Sequence, residues 1–125
     1  MKEETRAWLT KAHEDLSAAE LLLDADLTDV ACYHSQQASE KFLKALIEEH
    51  GQRIPRTHDL DVLTCQVEAI MAVPDDVRTA ATFLGGFGVA VRYPGTDTDL
   101  DDAKEAFKMA KTITDWAGLK LQELK

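Results

Sequence analysis

Residues 30–51, VACYHSQQASEKFLKALIEEHG, decide the fold of this chain. Their apolar residues recur three, four or seven positions apart, at Ala31, Ala38, Phe42 and Ala45. This spacing places them on one face of an α-helix. Gly51 ends the pattern, and glycine is common immediately after a helix C-terminus. The stretch therefore predicts a long amphipathic helix that ends near His50.

Further segments on both sides of this helix show helical periodicity. We predict them, in chain order, over approximately Glu3–Asp24, His58–Met71, from Asp75 into the glycines of residues 85–88, and Thr98–Leu124. Asp26 is the predicted N-cap of the central helix and Thr57 that of the third, because both residue types accept hydrogen bonds from helix N-termini. The glycines of residues 85–88 either permit close packing or break the fourth helix.

Long helices joined by short loops predict an all-α fold, an up-and-down four-helix bundle with an additional short helix. Apolar and polar residues do not alternate with a period of two over a useful length, so strands are not expected. No repeat or linker-like stretch interrupts the sequence. We therefore expect one helical domain over residues 1–125, with about five helices.

The composition excludes several classes of protein. Of the 125 residues, 45% are hydrophobic and 30% are charged, with a net charge of −9, which disfavours general DNA binding. No apolar run reaches the roughly 18 residues of a membrane span, and residues 1–4 lack a signal-peptide pattern. We expect a cytoplasmic protein in which Cys32 and Cys65 are buried thiols. No metal-binding motif occurs, and we expect neither a metal nor a cofactor.

One polar stripe on the central helix is a candidate binding site. His34, Gln37, Lys41 and Lys44 follow a 3-4-3 spacing and so share one helix face, which we name the α2 polar face. Their imidazole, amide and ammonium groups can donate hydrogen bonds to a phosphate or a base edge. The alternative is an ordinary solvated surface with a Glu40–Lys44 ion pair at i,i+4. Spacing alone leaves both interpretations open.

Two other short segments carry candidate ligand-binding residues. His58 lies next to a predicted helix N-terminus, where free backbone N–H groups attract anions. Arg92 and Tyr93 combine a guanidinium with an aromatic ring, a pair suited to clamping a phosphate or stacking on a base. Structural explanations remain open for both segments, since Thr57 and Asp59 can simply cap a helix and residues 92–95 can simply form a turn.

These segments, in this order, resemble the HEPN domain family. The resemblance rests on Gln36-Gln37-Ala38-x-Glu40-Lys41, Thr57-His58-Asp59-Leu60 and Arg92-Tyr93-Pro94, with Ala12-x-x-Asp15-Leu16 before them and Ala103 and Ala106 in the last helix. It implies a helical bundle that pairs as a homodimer and is often encoded beside a small nucleotidyltransferase. Some members bind nucleotides, and others are ribonuclease toxins of toxin–antitoxin modules. The resemblance places Gln37, Lys41, His58 and Arg92 in one polar site.

The sequence departs from the ribonuclease members at one point. Those members carry an arginine followed four to six residues later by a histidine late in the bundle, and Arg92 has no such histidine after it. Arg53 and His58 reproduce the spacing in an earlier loop and, with Arg92, are weak catalytic candidates. We therefore expect a nucleotide- or RNA-binding accessory subunit that is not an enzyme on its own. A metal-independent ribonuclease toxin is the second hypothesis, and a structural dimer without a ligand is the third.

Overall fold

The computed structural model of the chain describes residues 1–90 and 98–124, and for residues 88–90 the backbone alone. It contains five helices, which are α1 (Glu3–Asp24), α2 (Thr28–Glu49), α3 (Leu60–Glu68), α4 (Asp75–Ala90) and α5 (Leu100–Glu123). No strand occurs within the described ranges. The prediction of an all-α bundle with four long helices and one short one is confirmed. None of these five helices is long and apolar enough to cross a membrane.

The central position in the bundle belongs to α2, which packs against all four other helices. Its apolar side chains join those of α3, α4 and α5 in a single core that includes Leu43, Leu46, Ile47, Leu63, Leu84 and Ile113. Each fully buried leucine or isoleucine stabilises the fold by about 1.5–3 kcal/mol. Because α2 contacts all four other helices, several of its polar residues are buried inside the protein.

The turn between α1 and α2 differs from the prediction. Asp26 has a φ of 60°, a left-handed conformation that aspartate tolerates better than most residues. Its N–H donates to Leu23 O at 3.1 Å, and the Leu27 N–H donates to Leu22 O at 2.9 Å. This pair of bonds is the Schellman motif that ends helices. Asp26 therefore ends α1, and the N-cap of α2 is Leu27, which makes no side-chain capping bond.

The predicted start of the third helix is also wrong by two residues. Asp59 is the N-cap of α3, and its carboxylate accepts from the N–H groups of Asp61 and Val62. The hydroxyl of Thr57 accepts the Asp59 N–H at 3.0 Å and does not cap the helix. His58 therefore lies before the helix, in the loop, and its side chain is free to point away from the α3 axis. A short polar residue at either position satisfies the capping rule, so sequence alone could not choose between them.

The start of α5 is tied to α2 through Thr98. Its N–H and its hydroxyl donate to Asp29 Oδ1 at 2.9 and 2.7 Å. The backbone bond, with the hydroxyl bond adding to it, lowers the pKa of the Asp29 carboxyl because both stabilise its charged form. We predicted a helix from about Thr98, but Asp99 is the N-cap and forms a capping box with Asp102. Thr98 thus joins two helices instead of starting one.

The structure corrects the predicted burial of one cysteine and tests both alternatives for two glycines of α4. Cys32 is buried, and burial raises the pKa of its thiol. Cys65 is exposed, so the prediction of two buried thiols is wrong for it.

The backbone of α4 continues as helix through residues 85–88 to Ala90. A Cβ at Gly85 or Gly86 would meet nothing within 4 Å, so these two glycines neither break the helix nor permit close packing within the chain.

Two glycine substitutions with opposite expected effects test this description of the backbone. Gly51 has a φ of 71°, so Gly51→Ala is expected to lower the free energy of unfolding by about 1–2 kcal/mol. Gly86 lies in open space inside α4, so Gly86→Ala is expected to raise it by about 0.5–1 kcal/mol. Urea unfolding followed by circular dichroism measures both. Equal stability of the two variants would contradict the left-handed end of α2.

Candidate functional site

The first polar cluster forms around a carboxylate of α1. Asp15 accepts a hydrogen bond from His34 Nδ1 at 2.8 Å and forms an ion pair with the ammonium of Lys41. His34 and Lys41 lie two turns apart on α2, so their side chains reach the same carboxylate from the same face. The Lys41 side chain is 22% exposed, so part of it lies at the protein surface. We name these three residues the Asp15 cluster.

The second polar cluster forms around a carboxylate of α2 itself. Glu40 accepts from Lys44 Nζ at 3.0 Å and from His58 Nδ1 at 3.0 Å. The side chains of Glu40 and Lys44 are only 3% and 8% exposed, whereas that of His58 is 66% exposed. The Lys44 ammonium also lies 5.4 Å from the centroid of the Trp8 ring, within range of a cation–π interaction. We name Glu40, Lys44 and His58 the Glu40 cluster.

The alternative interpretation is right about the Glu40–Lys44 ion pair at i,i+4 and wrong about a solvated surface, because the α2 polar face is buried or partly buried. Gln37 and Lys44 are buried, and His34 and Lys41 are partly buried. The four side chains do not converge, because His34 and Lys41 turn to Asp15 while Lys44 turns to Glu40. Beside them, Ser35 Oγ and Gln36 Oε1 have no hydrogen-bond partner among the residues that the structure describes. Unpartnered buried polar atoms cost stability, and a bound ligand is one means of satisfying them.

Of the remaining candidate residues, Arg53 lies outside both clusters, and Arg92 and Tyr93 belong to the part of the chain that the structure does not describe. Arg53 is exposed in the loop after α2, and its backbone carbonyl accepts from Gln66 Nε2 at 2.7 Å. Within the described part of the chain, no hydrogen bond or ion pair joins Arg53 to His58.

Asp15 and Glu40 are the central residues of the two clusters, and neither is among the site residues predicted from the sequence. A signal for Asp15 is present in the sequence, because it follows Ala12 by three positions and precedes Ala19 by four. All three residues are buried on one stripe of α1. A carboxylate on a stripe of small buried residues needs a partner inside the protein. The sequence motif contains Glu40, but we predicted only a surface ion pair for its carboxylate.

The hydrogen bonds of the two histidines assign their tautomers. An ionised carboxylate only accepts hydrogen bonds, so Nδ1 of His34 and Nδ1 of His58 each carry the proton. Nε2 is then the ring nitrogen that each histidine can offer to another molecule. It can accept a proton or a hydrogen bond, and in the imidazolium form it can donate one to a phosphate oxygen. Each cluster thus contains an imidazole oriented by a carboxylate, and the Asp15 cluster adds the Lys41 ammonium.

Comparison with known proteins identifies the family. The family model described as the HEPN domain matches residues 5–121, which include both clusters. The chain belongs to the HEPN domain family. Among curated proteins, none gives a significant match to this HEPN chain.

Solved structures resemble this HEPN chain over nearly its whole length. The protein TT1696 from Thermus thermophilus is 28% identical, with a TM-score of 0.87. The alignment covers 95% of this chain and 99% of that protein. An archaeal HEPN homologue is 27% identical, with a TM-score of 0.77 and full coverage of both chains. An HEPN domain protein from Thermotoga maritima shares the fold, with 19% identity and a TM-score of 0.79. The alignment covers 93% of this chain and 98% of that protein.

Proposed function

We propose that this HEPN chain is a nucleotide- or RNA-binding accessory subunit that acts with a separately encoded nucleotidyltransferase. The observation that carries the binding part is that three of the four residues of the α2 polar face pair with two carboxylates inside the bundle. Buried ion pairs are often no more stabilising than apolar residues of the same size. Charged groups placed inside a small bundle therefore favour a role beyond stability. The nucleotidyltransferase partner rests on family membership alone.

The chemistry of the site favours an anionic ligand with hydrogen-bonding edges. Lys41 supplies an ammonium group. His34 contacts the same carboxylate, that of Asp15, and can offer its Nε2 to a ligand. Gln37 lies between them on α2 and carries an amide that can both donate and accept, as base edges require. With a net charge of −9, the rest of the protein repels polyanions, so contact with a nucleotide or a short RNA segment is favoured over contact with long duplex DNA.

Lys41→Met is the substitution that tests ligand binding most directly. It keeps the length of the side chain and removes the charge, so the affinity for ATP or a short single-stranded RNA is expected to fall about 10–100-fold, the value of one or two charge-assisted hydrogen bonds. Lys108→Met, on the exposed surface of α5, is the matched control and should leave the affinity unchanged. Isothermal titration calorimetry measures both. An absence of heat with the unmodified protein would leave the structural dimer as the function.

The Glu40–His58 contact favours a second candidate function, the ribonuclease toxin. Glu40 orients an exposed imidazole with Nε2 available, which is the arrangement of a general base that takes the proton of a 2′-hydroxyl. Incubation with a panel of RNAs without metal tests it. Cleavage lost in His58→Ala, or growth arrest rescued by Arg53→Ala or Arg92→Ala, would replace the accessory subunit as the proposal. We favour binding because Arg53 is not joined to His58 among the described residues.

The homodimer is part of the same proposal. Large apolar side chains are exposed around the turn between α1 and α2, namely Leu21, Leu27, Val30 and Tyr33. Leu21 is 70% exposed, and Leu27, Val30 and Tyr33 recur every third residue from the N-cap of α2. A group of exposed apolar side chains is typical of protein–protein contacts. Sedimentation equilibrium measures the mass in solution, and a monomer at all concentrations would contradict this part of the proposal. The cytoplasmic location also stays a proposal.

A further inference from the structure

A groove of about 470 Å³ lies between α1 and α5, and none of the residues of the two polar clusters lines it. We name it the α1/α5 groove, and its walls include Leu9, His13, Leu16, Phe42, Thr114 and Leu121. Leu9, His13 and Leu16 share one face of α1 by their spacing, and Asp15 projects from another. The volume falls within the roughly 300–1,000 Å³ of small-molecule sites. The groove is therefore independent of the site assigned above.

Gly118 and the ring of Phe42 are neighbours in the lining of the groove. Gly118 lies inside α5, where a Cβ would come within 3.7 Å of Cε1 of Phe42. Any larger side chain at this position would occupy the space above that ring. The His13 ring meets Phe42 edge to face, with ring centroids 5.1 Å apart and an interplanar angle of 80°. Two aromatic rings beside an open space favour a flat aromatic molecule, since such rings attract one another in stacked and edge-to-face geometries.

A hydroxyl without a partner lies in the wall of the groove. Thr112 donates to Lys108 O at 3.2 Å and Thr64 to Leu60 O at 2.6 Å, the usual bond of a threonine inside a helix. Thr114 is 3% exposed, and its Oγ1 makes no hydrogen bond within the described part of the chain. Thr114 is among the residues that line the groove, so its hydroxyl lies next to the space that a ligand would fill. A ligand that bonds it removes the cost of a buried, unpaired polar group.

We propose that the α1/α5 groove binds a small, uncharged, planar aromatic molecule with a hydrogen-bonding group that reaches Thr114. Its volume of about 470 Å³ corresponds to the sites of small molecules. At its rim, Lys111 and Asp115 form an ion pair at 3.2 Å. Because these two charges neutralise each other, the rim offers no excess charge to a charged ligand.

Indole and indene are suitable probes, because they have nearly the same shape and only indole carries an N–H donor. We expect saturable shifts of groove amides in ¹H–¹⁵N spectra, with indole binding about five-fold more tightly than indene, as one net hydrogen bond gives. Thr114→Val should abolish this difference and leave indene binding unchanged. Gly118→Leu should abolish binding of both probes. Gly86→Leu is the matched control, since a Cβ at Gly86 meets nothing within 4 Å.

Several results would overturn the proposal. They are the absence of saturable shifts, equal binding by Gly118→Leu and the unmodified protein, and preference for indole retained in Thr114→Val. If Gly118→Leu does not fold, His13→Ala provides the test, because His13 is exposed and its loss should weaken both probes several-fold. Sedimentation of Gly118→Leu distinguishes another occupant: loss of a dimer that the unmodified protein forms would assign the groove to a second copy of the chain.

Discussion

Replacement of Glu40 with leucine is expected to lower the free energy of unfolding by about 3–5 kcal/mol, the usual cost of removing one partner of a buried ion pair. The Glu40 side chain is 3% exposed and that of Lys44 is 8% exposed, so the Lys44 ammonium would stay buried without its counter-charge. The Trp8 ring, 5.4 Å away, cannot replace a carboxylate, because a cation–π contact contributes only about 0.5–2 kcal/mol. Urea unfolding measures the difference.

A double variant separates the cost of the unpaired charge from the cost of altered packing. In Glu40→Leu with Lys44→Met both charges are absent, and we expect most of the lost stability to return. His58→Ala is the control for the third member of the Glu40 cluster, and its effect should be below about 1 kcal/mol because the histidine is largely solvated. A loss below about 1 kcal/mol in Glu40→Leu alone would contradict the burial of this pair.

The helices of this protein could be predicted from the sequence because hydrophobic periodicity acts over whole helices. The predicted Glu3–Asp24 segment coincides with α1, and α2 ends at Glu49, one residue before the predicted His50. The capping residues could not be predicted as accurately as the helices themselves. Asp26 can serve as an N-cap or as a left-handed C-terminal residue, and only the packing of α1 against α2 decides which. Cys65 is exposed for a similar reason, since α3 is short and has only one buried side.

The candidate site was predicted in part. The 3-4-3 spacing correctly indicated that the α2 polar face is one surface of a helix, but spacing does not reveal what lies opposite. Asp15 meets His34 and Lys41 across a contact between two helices. Glu40 draws Lys44 away from Lys41, because an i,i+4 carboxylate inside the bundle is its nearest counter-charge. Partners of buried charges depend on tertiary packing, which periodicity does not contain.

Asp15→Ala should have the second largest effect on stability. The carboxylate accepts from His34 at 2.8 Å and pairs with Lys41, and hydrogen bonds to charged groups contribute about 1.5–3 kcal/mol. We expect the free energy of unfolding to fall by about 2–3 kcal/mol, less than for Glu40→Leu. The difference arises because Lys41 is 22% exposed and its ammonium can turn toward water once the carboxylate is gone. Urea unfolding at neutral pH measures the loss.

The neighbouring residue provides the control for Asp15→Ala. Glu14 is exposed on α1, so Glu14→Ala should change stability by no more than about 0.5 kcal/mol. Asp15→Ala with Lys41→Met completes a double-mutant cycle, and we expect a coupling energy of about 1–2 kcal/mol between the two side chains. Asp15→Ala should also weaken binding of ATP if the carboxylate positions Lys41 for the ligand. Tighter binding would instead mean that Asp15 competes with the ligand for the ammonium, and a coupling energy near zero would remove the Asp15–Lys41 contact from the candidate site.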